Sequence, residues 1–118
     1  MLISGIVLML AAILVVGVSE AAARGRLGIN GFAGIRFGSL MLSERAWREG
    51  HRAARVPMLV AGAALFAAGL VAATGALGAD ATGAVVIGAM VVTLAVVAVA
   101  AFVASRVADR VLVEDAHD

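Results

Sequence analysis

Two histidines, His51 and His117, and eight carboxylates are the groups of this 118-residue chain from which acid–base or metal chemistry would be built. The histidines lie in different segments with no carboxylate cluster shared between them, so their pattern does not predict a zinc site. Ser43 has only His51 as a candidate base, eight residues on and about two helical turns away, a poor arrangement for a hydrolase. Cysteine is absent, which excludes thiolate ligands, thiol nucleophiles and disulfides. Gly28, Gly31, Gly34 and Gly38 suggest a phosphate-cradling loop, but no strand precedes them, no GK[ST] follows, and the spacing fits neither the dinucleotide nor the P-loop fingerprint. The sequence therefore predicts neither an enzyme nor a bound cofactor.

The elements that must position these residues follow from composition. Hydrophobic residues make up 64% of the chain and charged ones 14%, with a mean hydropathy of +1.11. A soluble domain carries roughly a quarter charged residues, and a chain this short cannot hide such an apolar excess in one core. Residues 1–19, 56–79 and 81–105 contain no charge, and each is long enough for the ~20 helical residues that cross a bilayer. Backbone groups in lipid need internal partners, so these stretches should be helices. The expected fold class is an all-α membrane protein, one module over residues 1–118. Its spans cover about 2–19, 57–78 and 83–105, with a Gly-rich loop over 20–56 that includes a short interfacial helix, and a tail over 106–118. The first span lacks a positive leader segment and reads as a retained helix, not a signal peptide. No ionisable group lies inside a span, unlike the usual transporter or pump. Ser4, Thr74 and Thr93 should bond back to their own helices. Small-residue pairs at Ala64/Ala68, Gly69/Ala73, Ala84/Gly88 and Ala100/Ala104 are candidates for close helix approach in a hairpin of the second and third spans.

All nine basic residues are arginine. Seven lie between the first two spans and two follow the third. By the positive-inside rule that side is cytoplasmic, with the N-terminus outside and the C-terminus inside a bacterial plasma membrane. The arginines read as topology signals and contacts with the lipid bilayer. Interspersed Glu44 and Glu49, and the lack of an aromatic stacking platform, argue against direct nucleic-acid binding.

Within the loop, Ser43 is a suitable N-cap for a helix that starts at Glu44, and Glu44/Arg48 and Arg45/Glu49 have the spacing of surface ion pairs. Trp47, His51 and Ala54 share one side with Leu40, and Trp47 next to a membrane is expected to anchor at headgroup level. The helix leads into the second span, and nothing before Pro57 prevents it from running on into that span. Asn30 and Arg36 are polar groups among Ile29, Phe32, Ile35 and Phe37, suited to holding a partly buried loop or to binding a lipid phosphate.

The order Asn30, Gly34-Ile35-Arg36, Ser43-Glu44-x-x-Trp47 and Gly50-His51-Arg52-Ala53-Ala54 resembles the SdpI family of small bacterial membrane proteins. Phe37 stands where that family usually has threonine. The resemblance implies a plasma-membrane protein that confers immunity to a secreted membrane-active peptide toxin or tethers a transcriptional regulator. Asn30, Gly34, Ile35, Arg36, Ser43, Glu44, Trp47 and His51 would form its functional loop. The alternative, from a different class, is a structural accessory subunit packed against membrane-protein partners or against copies of itself, which small-residue spans without ionisable groups would suit.

Overall fold

Four α-helices and one 3-10 turn make up the computed structural model, which describes residues 1–117, and no strand occurs among them. The helices are α1 (Leu2–Ala23), α2 (Glu44–Ala53), α3 (Arg55–Thr74) and α4 (Ala79–His117), and the 3-10 turn spans Gly38–Met41. Three of them, α1, α3 and α4, are long and apolar enough to cross a membrane, which makes this a multi-pass membrane protein built from helices, as its charge-free stretches predict.

The tightest packing joins α1 to α3, antiparallel, and it depends on glycine. A Cβ at Gly69 would lie 2.8 Å from the Gly5 carbonyl oxygen and 3.0 Å from the Leu8 Cβ. Gly5 is closed in the same way by the backbone of Gly69 and Ala73. In lipid, where tails are as apolar as side chains, such backbone approach is what drives association. At the other end of the pair, Glu20 of α1 receives Arg55 of α3 at 2.8 Å and Arg24 at 2.9 Å. Gly69 and Ala73 are thus contact residues, but toward α1 and not toward the hairpin partner. Ala84 and Gly88 are exposed, and no residue from 83 to 99 is buried. Thr74 donates to the Val71 carbonyl at 3.0 Å as expected, whereas the Thr93 hydroxyl has no partner among the described residues.

Helix ends follow local chemistry. α3 stops at Thr74 because Gly75 takes the left-handed conformation (φ +65°). The connection to α4 is therefore residues 75–78, and Gly83 lies inside the helix. The short helix α2 is not continuous with α3. Ala54 breaks the path, and Pro57 supplies the reason: it has no N–H for the Ala53 carbonyl and its ring would crowd that oxygen. The stretch from Arg106, read as a tail, continues α4 as helix to His117. At ~1.5 Å per residue α4 extends about 58 Å, nearly twice a hydrocarbon core. Ala100, Ala104, Ala108 and Val111 form its buried stripe and pack against α2 and the 3-10 turn. That stripe keeps its spacing across residue 105, a continuity the charge count alone obscures.

Replacing Gly69 by Val should lower stability by about 1–3 kcal/mol, the usual cost of forcing atoms into a filled contact. Gly88→Val, with nothing within 4 Å of the added Cβ, should stay within about 0.5 kcal/mol of wild type. Thermal or detergent-titrated unfolding followed by circular dichroism reads both, and equal effects would contradict the assigned contact.

Candidate functional site: a loop clamped on Trp47 and His51

The segment from Arg24 to Ser43 has little regular structure, so its backbone groups must find partners elsewhere. Asn30 supplies four of them. Its Oδ1 accepts from the Phe32 and Ala33 N–H groups at 2.9 and 2.8 Å, and its Nδ2 donates to the Gly28 and Ala33 carbonyls at 2.9 and 3.1 Å. That uses both acceptor sites and both donors of a carboxamide. Arg36 then donates from Nε to the Asn30 carbonyl at 2.9 Å, so the two ends of the 30–36 turn are tied together.

This turn rests on one face of α2. Ser43 starts the helix, its Oγ accepting from the Ala46 N–H at 3.0 Å. Trp47 and His51, one turn apart, are buried with ring centroids 4.4 Å from each other. Trp47 Nε1 donates to the Leu27 carbonyl at 2.8 Å. Here the structure corrects the headgroup-anchor expectation: Trp47 is 1% exposed and its ring supports the loop. His51 accepts at Nε2 from the Ile35 N–H at 2.8 Å and contacts the Trp47 carbonyl through Nδ1 at 2.8 Å. A backbone N–H can only donate and a carbonyl only accept, so the ring is the neutral tautomer with its proton on Nδ1. Both nitrogens are engaged, and burial holds the imidazole below its ordinary pKa, partly offset by the bond to Trp47. Leu40 and Ala54 share the buried side, as the helical spacing predicts.

Gly34 is the residue that lets the loop come this close. Its φ is +101°, and a Cβ there would meet Trp47 Cη2 at 2.7 Å and His51 Nε2 at 3.0 Å. Ile35 follows as a buried side chain, 8% exposed. Phe32 and Phe37 instead stand out at 98% and 59% exposed, so only part of the loop is covered.

The remaining polar contacts differ from the expected helix-surface pairs. Neither Glu44/Arg48 nor Arg45/Glu49 forms. Glu44 lies beside Gly28 and accepts from the Ile29 N–H at 3.4 Å. Arg45 crosses to the end of α4, bonding Asp115 and, at 3.3 Å, Glu114. Glu49 takes Arg52 at 3.3 Å. Two residues of the motif had no role assigned from sequence. Arg52 Nε donates to the Ala23 carbonyl at 3.0 Å, covering the C-terminal end of α1. Gly50 lets α2 approach α4, since a Cβ there would lie 2.7 Å from Leu40 Cδ2 and 3.2 Å from the Ala104 carbonyl oxygen. A glycine within an otherwise good helical stretch was the available signal, because it costs about 1 kcal/mol relative to alanine unless packing requires it.

The loop residues Asn30, Gly34, Ile35 and Arg36 and the α2 residues Trp47 and His51 thus form one packed and hydrogen-bonded unit, while Ser43 caps α2 and Glu44 meets the loop at Gly28 and Ile29. What the unit does is hold a shaped loop against the ends of three apolar helices. It presents Arg36 and two aromatic rings beside a cleft of about 510 Å³ bounded by α1, α3 and α4.

Protonating His51 would set an N–H against the Ile35 N–H, so the proton favours the unfolded chain. Because the folded pKa is lowered, the contribution of this bond should be full above the ordinary histidine value of about 6.5 and should fall as pH drops below it. The unfolding midpoint should follow that course, and His51→Gln should flatten it; a wild-type midpoint independent of pH between 7.5 and about 5 would contradict the clamp. Gly34→Ala, strained in φ and colliding with both rings, should cost more than about 1 kcal/mol and shift Trp47 emission to the red as the ring becomes wetter.

Neither a curated protein nor a solved structure matches the chain. A family model described as the SdpI/YfhL protein family matches residues 26–105, more than half of the sequence. That stretch begins in the loop, includes the whole of α2 and α3, and ends on the buried stripe of α4. It therefore contains every residue of the clamp, and on this match the chain belongs to the SdpI/YfhL protein family.

Proposed function

We propose that this protein works by binding and not by catalysis, as an SdpI-like membrane protein that protects its cell from a secreted membrane-active peptide or holds a transcriptional regulator at the membrane. The observation that carries the reading is the coincidence of the family match with the loop–α2 unit. Within the matched stretch, the loop and α2 are clamped into one surface at the end of a bundle of apolar helices, a position open to a partner in the bilayer and to one in solution. The positive-inside rule supports placing that end in the cytoplasm of a bacterial plasma membrane, since the arginines cluster there. A depolarising peptide moving through the bilayer would meet α1 and α4. A soluble regulator would meet the loop.

A second reading rests on α4. Its uncovered apolar face from 83 to 99 suits packing against further helices, which supports an accessory subunit of a larger membrane complex or self-association. A mild-detergent pull-down separates the two: fixed-ratio membrane partners support the accessory role, and a lone species removes it.

Cells expressing the protein should survive a cognate depolarising peptide that kills cells without it. Arg36→Ala should lose that protection at equal membrane abundance. Unchanged survival upon expression with such a peptide would contradict immunity, and capture of a soluble DNA-binding partner, lost in Arg36→Ala, would favour tethering.

A further inference from the structure

We propose that the cleft between α1, the 32–37 loop and α4 is a site for an anionic phospholipid, with one acyl chain in the cleft and the phosphate on Arg36. This goes beyond the functional reading above and does not depend on it.

The walls of the cleft are apolar. Leu14 and Val18 of α1, Met58 of α3 and Val97 of α4 belong to the helices that cross the membrane, and the loop closes one side. Its volume, about 510 Å³, lies in the ordinary range of ligand sites. Among the lining residues Arg36 alone is charged. An apolar slot with a single cation at its rim matches an amphiphile with a single anion at its head, and in a bilayer the abundant molecule of that form is a phospholipid.

Arg36 is also without a carboxylate partner among the described residues. Of the seven arginines from Arg24 to Arg55, Arg24, Arg45, Arg48, Arg52 and Arg55 each pair with a carboxylate, and of the two that do not, Arg26 and Arg36, only Arg36 lines the cleft. Arg36 pairs with none among the described residues. Its Nε is fixed by the Asn30 carbonyl, and its terminal nitrogens make no protein hydrogen bond among those residues. The fork is therefore oriented but unneutralised, the state in which guanidinium takes phosphate best. Phe32 and Phe37, exposed beside it, also line the cleft and add apolar surface at its rim. A zwitterionic lipid brings its own cation to the same spot, so the preference should be for a net negative headgroup.

The test uses full-length protein in mild detergent supplied with equal amounts of phosphatidylglycerol and phosphatidylcholine of the same chains. Retained lipid is counted by native mass spectrometry, and variants are compared only where their far-UV circular dichroism matches wild type. Wild type should hold phosphatidylglycerol over phosphatidylcholine by about fivefold, the factor for one basic group near an anionic surface. Arg36→Gln should bring the ratio back to that supplied, and Arg36→Lys should keep a preference because the charge remains. Val97→Trp fills the cleft from the α4 wall with every arginine in place, and it should reduce retention of both lipids. A wild-type ratio equal to supply, a preference unchanged in Arg36→Gln, or full retention in Val97→Trp would each overturn the assignment. Val97→Trp shifting the oligomeric state without changing lipid would assign the cleft to a second copy instead.

Discussion

A buried imidazole that must stay neutral is the constraint on which this structure turns. His51 has no exposed surface, and its two nitrogens face groups of opposite hydrogen-bonding sense: the Ile35 N–H on one side and the Trp47 carbonyl on the other. Only the Nδ1-protonated neutral ring satisfies both. Each unmade bond in such a site costs about 1–3 kcal/mol, so the ring selects one backbone path for the loop. The path requires a left-handed residue at 34 with no side chain, and glycine is there. From that point Ile35 turns inward and Arg36 turns back to Asn30. The cleft and its cation are consequences of this geometry.

The bundle beneath is organised by a different force. In a bilayer, apolar side chains gain little by meeting each other, so helices associate where backbones come close and where polar groups find partners. Gly5 against Gly69 supplies the first kind of contact for α1 and α3, and Glu20 with Arg24 and Arg55 supplies the second at the arginine-bearing end. α4 meets α2 through Gly50 and the Ala100–Ala104–Ala108 stripe, leaving residues 83–99 of α4 without a buried residue. The molecule is thus tightest at the arginine-bearing end and along α1–α3, and loosest along α4.

How much of this was legible in the sequence depended on the range of the signal. The three long helices could be read because length without charge is a local property that the bilayer converts directly into structure. The Ser43 cap was legible for the same reason. The Gly5–Gly69 contact was not: it joins residues far apart in sequence, and in a chain rich in alanine and glycine the candidate pairs at Ala84/Gly88 looked no different. Trp47 is ambiguous in sequence because the same helical position serves a headgroup anchor or a buried platform. What separates the two is the presence across space of Gly34 and the Leu27 carbonyl. The ion pairs were misassigned because Arg45 finds its carboxylates on α4, nearly seventy residues away, once α4 runs on as helix past the membrane.

The protonation of His51 is read most directly by long-range ¹⁵N–¹H correlation of the histidine rings in a micelle- or nanodisc-embedded sample. One ring, absent in His51→Gln, should show a protonated Nδ1 and a bare accepting Nε2 at pH 7, unchanged through the ordinary histidine value of about 6.5. A ring protonated at Nε2, or one that becomes doubly protonated at or above that pH while the protein stays folded, would contradict the clamp and the loop path built on it.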